Sequence, residues 1–123
     1  MNNNSNPTFT DISTLGEFGL INRLTENNIM LQSSTLKGVG DDAAVISNDK
    51  ECTVVCTDML VEGIHFDLMY TPLKHLGYKA VIVNLSDVYA MNAEPRQITV
   101  SLAISSKYSV EAIQELYDGI YTA

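Results

Sequence analysis

Apolar residues recur along the chain with two different periods, and the alternation between those periods outlines the fold. Leu15, Phe18, Leu20, Ile21 and Leu24 lie at helical spacing, predicting a first helix that ends near Asn27-Asn28. Residues 31–40 form a polar connection, closing on Lys37-Gly38-Val39-Gly40. Ala43–Ser47 is a short strand candidate, Asn48-Asp49-Lys50 a turn, and Glu51–Leu60 the strongest strand prediction, with Val54, Val55, Cys56 and Thr57 at its centre. A loop then runs to about Thr71. Pro72 suits the first turn of a helix with Thr71 as its N-cap. That helix should reach about Asn92 before Pro95 stops it. Ala80 to Val83 is apolar at consecutive positions, which predicts a helix buried on most sides. Gln97–Ile104 alternates and reads as a strand. Ser109 caps a last helix with Val110, Ile113, Leu116, Tyr117 and Ile120 at helical spacing. The order α-β-β-α-β-α predicts an α/β or α+β layer, a mixed sheet packed by helices.

Composition narrows this outline only modestly. The 123 residues suit one domain, with residues 1–12 as a flexible tail and 13–123 as the folded part. Seven basic against fifteen acidic residues give a net charge of −8, which does not suggest nucleic-acid binding. No apolar run reaches membrane-spanning length and no secretory leader is visible. Cys52 and Cys56, four residues apart in a strand, would place their Cα atoms about 13 Å apart, too far for a disulfide. Without a second Cys/His pair they are not a zinc site, so they read as buried core thiols in a reducing, cytoplasmic compartment. The last helix runs to Ala123 with no stop signal, as expected of a domain fragment.

Four aspartates carry the chemical interest: Asp41 and Asp42 in V-G-D-D-A-A-V, Asp58 at the end of an apolar strand, and Asp87 inside an apolar helix. An acid in such a setting is costly unless it is paired or holds a metal. For Gly40-Asp41-Asp42 the local evidence favours an ordinary turn; the other reading aims carboxylates at Mg²⁺, which takes oxygen ligands. Asp58 could equally be a solvated strand end, and His65 a phosphate contact or an unremarkable surface histidine. Asn84 and Asp87 share one helix face, which implies a partner, either an internal hydrogen bond or a metal also held by Asp42 and Asp58. Gly38-x-Gly40-x-x-Ala43 lacks the strand before and helix after that a dinucleotide fingerprint needs, and no P-loop is present. Ser86 and Tyr89 have no base and orienting acid to make a nucleophile.

Taken in order, L-G-E-F-G-L-I (15–21), G-D-D-A-A-V (40–45), T-D-M-L-V-E-G-I-H-F (57–66) and G-Y-K-A-V-I-V-N-L-S-D-V-Y-A-M-N-A-E-P (77–95) resemble the thiamine-monophosphate kinase family, within the superfamily of aminoimidazole ribonucleotide synthetase and selenophosphate synthetase. The resemblance implies that Asp42, Thr57, Asp58 and Asp87 bind Mg²⁺, that His65 contacts thiamine monophosphate, and that Tyr117 contacts ATP. It implies direct in-line transfer of the γ-phosphoryl group, with no general base assigned. It also implies a homodimer in which the 43–60 and 97–104 strands complete a barrel between subunits, a second domain being absent. Cys56 stands where the family often has Ser or Thr, and Asn92 where it usually has Gly. The alternatives are a Mg²⁺- and nucleotide-binding dimerisation module without turnover, or a superfamily member acting on a different phosphorylated small molecule.

Overall fold

The computed structural model describes residues 11–123, so the expected tail lies outside the described residues except for its last two positions. Asp11 caps a 3-10 turn, Ile12–Thr14, by accepting from the Ser13 backbone N–H at 2.8 Å. Helix α1, Gly16–Thr25, follows where the periodicity places it. Contacts divide the chain into a unit ending at Ser33 and a unit spanning Ser34–Ala123. All four aspartates lie in the second unit.

That unit opens with a three-stranded antiparallel sheet in the order β1 (Thr35–Lys37), β2 (Ala44–Asn48), β3 (Glu51–Val55). β1 falls inside the expected polar connection. It pairs Thr35 with Ile46 and Lys37 with Val45, so two strand steps oppose one and Leu36 is bulged. β2 and β3 form a hairpin in register from Ala44–Val55 to Asn48–Glu51. Its two-residue loop is Asp49-Lys50, with Asp49 at φ 57°, a left-handed conformation that Asp tolerates.

Three expectations need correction. β3 stops at Val55 rather than Leu60, because the chain leaves the ladder and the Asp58 N–H is taken by the Asn84 side chain at 3.0 Å. Residues 97–104 pair with no strand among the described residues, so their alternating pattern has no ladder to join. Cys52 and Cys56 are free as expected, but Cys52 is exposed and Cys56 half-buried, because β3 is a sheet edge and not a core strand.

Helix α2, Leu73–Ala90, begins after Pro72, and Thr71 makes no capping bond. Only Leu76, Gly77 and Val81 of this helix are buried, so Ala80–Val83, packed near α3 (Val110–Thr122), is not covered on most sides. The core is the α2–α3 seam: Leu76, Val81, Leu116 and Ile120, with Leu60, Phe66, Leu68, Leu73, Leu85 and Tyr117 packed on it. The two backbones approach closely. A Cβ on Gly77 would overlap the Leu116 carbonyl, and one on Gly119 the Lys74 carbonyl. Ser109 caps α3 as expected, accepting from the Ala112 N–H at 3.2 Å. α2 ends in a Schellman arrangement: Asn92, at φ 53°, donates to the Tyr89 carbonyl (2.9 Å) and Ala93 to that of Val88 (3.1 Å). Asn fills the left-handed position that Gly usually takes, so this departure from the family pattern leaves the helix end intact.

Candidate phosphotransfer and metal site

Asp42 follows a turn opened by Gly40, whose φ of 106° suits glycine alone. Buried Ala43 then pins the turn to the start of β2. The two neighbouring acids divide their roles. Asp41 pairs with Lys37, four residues earlier at the end of β1, and accepts from the Asp42 N–H at 3.1 Å. The Lys37 ammonium, then the Asp42 amide, hold its carboxyl below the ordinary aspartate range. Asp42 is left exposed and forms no ion pair among the described residues.

Asp58 is exposed on the segment leaving β3, and Asp87 is half-buried on α2, one turn past Asn84. The expectation of buried acids is thus too strong for Asp42 and Asp58. Among the described residues none of the three has an ion-pair partner, the pairs being Lys37–Asp41 and Arg96–Glu94. Asp87 is pushed above the ordinary carboxyl range, first by partial burial, then by the charges of Asp58 and Asp42. Two segments distant in sequence therefore place Asp58 and Asp42 near enough to act on Asp87, and none of the three forms an ion pair among the described residues.

No three acidic, His or Cys side chains among the described residues close into a ready-made cage. Mg²⁺ does not need one: it keeps several waters and takes one or two carboxylates plus substrate phosphate oxygens. A spaced, exposed, all-oxygen set fits that ion. Thr57 is exposed beside Asp58, and its hydroxyl has no protein partner among the described residues. Cys56 points at α2, its thiol donating to the Asn84 carbonyl at 3.4 Å. Burial, then Asp87 and Asp58, raise its pKa, so the thiol stays protonated.

His65 sits on the adjoining loop. Its Nδ1 accepts from the Val61 N–H at 2.9 Å, which in the neutral ring leaves the proton on Nε2. Lys79, which the sequence reading passed over, donates from Nζ to the His65 carbonyl at 2.6 Å and ties that loop to α2. Its only sequence signal was a lone cation opening an apolar run. Lys79 and Asp87 are eight residues apart, about 12 Å along one helix, so α2 is the shared spine of both parts. Tyr117 is placed elsewhere. It is half-buried against the α2–α3 core, 6.1 Å from the Tyr121 ring centroid, and lines a groove of about 530 Å³ with Ile104, Ser105, Ser109 and Ile113. None of the aspartates lines that groove.

An antiparallel hairpin flanked by Asp42 and Asp58, set beside a long helix that carries Asp87, defines a mixed α/β domain. Residues 40–123 match the family described as "AIR synthase related protein, N-terminal domain", and the chain belongs to that family. It is similar to a thiamine-monophosphate kinase of Bacillus subtilis, 40% identical over 107 residues, covering 86% of this chain and 33% of the relative. Kinases of the same name from Buchnera aphidicola (43% over 95 residues; 76% and 29% covered) and Synechococcus elongatus (39% over 110 residues; 89% and 32% covered) are also similar. The chain spans about a third of the length of these relatives. No solved structure matches it significantly. No helix among the described residues is long and apolar enough to cross a membrane.

Proposed function

We propose that this chain is the metal-binding part of an ATP-dependent kinase that converts thiamine monophosphate to thiamine diphosphate. The observation that carries the reading is Asp87, half-buried on α2 and subject to the charges of Asp58 and Asp42, with no ion-pair partner for any of the three among the described residues. The names of the relatives supply the substrate. Asp42, Asp58 and Asp87, with the Thr57 hydroxyl, would hold Mg²⁺, which when bound offsets the charge of two phosphate-bearing reactants.

The chain's own residues contribute positioning and charge. His65 presents Nε2–H as a donor to the phosphate of thiamine monophosphate, its ring fixed by the Val61 amide and its backbone by Lys79. Tyr117 offers an aromatic face to the nucleotide. An acceptor phosphate oxygen attacks the γ-phosphorus of ATP in line as the bond to the β–γ bridging oxygen breaks. That acceptor is already ionised near neutral pH, so no residue is assigned as general base. The working form is a cytoplasmic homodimer in which residues 97–104 find the strand partner they lack among the described residues.

The test is Mg²⁺-dependent formation of thiamine diphosphate from ATP and thiamine monophosphate by the full chain, with other phosphorylated small molecules as competing acceptors. Asp87→Asn should lower turnover at least about a hundredfold, the scale of losing a charge-stabilising group in the transition state. Wild-type turnover in that variant would sink the reading, and preference for another acceptor would move the chain to a different substrate within the same family. A second reading has an observation of its own, since the chain spans about a third of its relatives. It is a divalent- and nucleotide-binding dimerisation module that does not turn over by itself; Mg²⁺ binding without product from residues 1–123 would select it.

A further inference from the structure

Asn84 is the most fully engaged polar side chain near the candidate site. Its Oδ1 accepts from the Asp58 N–H at 3.0 Å, and its Nδ2 donates to the Ala80 carbonyl one turn back at 2.9 Å. Its own carbonyl accepts from the Cys56 thiol at 3.4 Å. Asn84 is half-buried. The two side-chain bonds settle which end of the amide is oxygen: only an oxygen accepts from Asp58, and only the NH₂ can donate to Ala80.

The geometry has a consequence for the carboxylates. The chain leaves the β-ladder at Val55, so no sheet bond holds Cys56, Thr57 or Asp58. What holds the segment at both ends is one residue of α2, three positions before Asp87 on the same helix face. The bond from Nδ2 to Ala80 fixes the rotamer of Asn84, and the bond from Oδ1 then fixes the backbone of Asp58 at a set distance from the helix that carries Asp87. Asp58 and Asp87 repel each other. Left to themselves they would separate. A neutral clamp that grips the backbone of one and grows from the helix of the other opposes that drift without adding a positive charge that would compete with a cation.

We propose that Asn84 is the positioning residue of this site, setting the Asp58–Asp87 spacing before any divalent cation arrives. The inference rests on the metal-site reading above. It is of the kind in which an outer-shell partner orients a ligand, where loss typically costs tenfold to a hundredfold in metal affinity.

Mn²⁺, a paramagnetic stand-in for Mg²⁺, is titrated into the full chain and free ion read by electron paramagnetic resonance, alongside exchange of the Asp58 amide hydrogen. Asn84→Leu keeps the size and favours the helix more than Asn does, but makes neither bond; it should weaken Mn²⁺ binding about tenfold or more and speed exchange at Asp58, without lowering the melting temperature. Asn84→Asp keeps the acceptor for the Asp58 N–H but loses the donor to Ala80, so exchange at Asp58 should fall between wild type and Asn84→Leu. A purely structural role would instead lower the melting temperature and leave Mn²⁺ affinity alone. Asp87→Asn separates the two readings. If Asp87→Asn weakens Mn²⁺ binding and Asn84→Leu does not, Asn84 positions nothing. If Asp87→Asn leaves Mn²⁺ binding intact, the three-carboxylate site is wrong and the inference falls with it.

Discussion

Asp87 carries two burdens, partial burial and the charges of Asp58 and Asp42, and both raise its pKa above the ordinary 3.8. The sign of the linkage follows. The folded state holds this proton more tightly than the unfolded state, so the stabilisation is complete below the unfolded value and is lost as pH rises through the folded one. At neutral pH and without divalent cation, Asp87→Asn should therefore be more stable than wild type, by less than about 1 kcal/mol for so partially buried a group. The advantage should vanish as pH falls below the ordinary aspartate range. Mg²⁺ should reverse it, stabilising wild type more than the variant. Thermal melts across pH, with chelator and with Mg²⁺, check all three; a variant less stable than wild type at neutral pH in chelator contradicts the account. The pattern separates the four aspartates: Asp41 is paired with Lys37 and shapes the turn, whereas the other three have no ion-pair partner among the described residues. The sequence could show that these acids lie in apolar or turn settings. It could not show that Asn84 and Lys79 anchor their segments, because both bonds span more than ten residues and leave no local pattern.

At the scale of elements, α2 and α3 do most of the work, and their crossing depends on Gly77 and Gly119. Ala at either position gains about 1 kcal/mol of helix propensity. Against that stands overlap with a backbone carbonyl, which cannot rotate away as a side chain could. Overpacking of this kind costs about 1–3 kcal/mol or more. Gly77→Ala should thus be destabilised by about 1–2 kcal/mol net, seen as a lower urea midpoint with unchanged slope. A midpoint at or above wild type would mean the helices do not approach at that point. Elements with a strong local signal were legible: α1 and α3 by period, the 49–50 turn by composition, the α3 cap by Ser109. The remainder depended on partners. β1 is three residues with a bulge, too short for any period to register. β3 reads as ten residues because Cys56 to Leu60 stay fairly apolar, yet it ends where Asn84 captures Asp58. The apolar run 80–83 marks a helix that the described residues leave largely uncovered, Val81 being its one buried side chain there.

That incomplete cover is the dominant fact about the molecule as a whole. Among the described residues only Ala43, Leu76, Val81, Leu116 and Ile120 are buried apolar side chains. Segment 97–104 shows the deficit most clearly. Ile98, Val100, Leu102 and Ile104 occupy alternate positions, one face of an extended chain, and are 51%, 42%, 43% and 51% exposed. Four branched apolar residues in strand register, with no ladder among the described strands, match what a strand needs when its partner lies in another subunit. Val100→Lys distinguishes that role from a merely exposed segment. On a free surface the substitution should change stability by no more than about 0.5 kcal/mol and leave association untouched. Against a second copy, each subunit would bury an unpaired ammonium, a penalty that exceeds the roughly 1.4 kcal/mol of a tenfold change in dissociation constant. Sedimentation equilibrium of the full chain should thus show a dimer whose dissociation constant rises at least about tenfold in the variant, while Lys in place of exposed Thr99 on the opposite face should have much less effect. Equal dimerisation by wild type and Val100→Lys would remove residues 97–104 from the interface, and the strand pairing proposed for them would have to be abandoned.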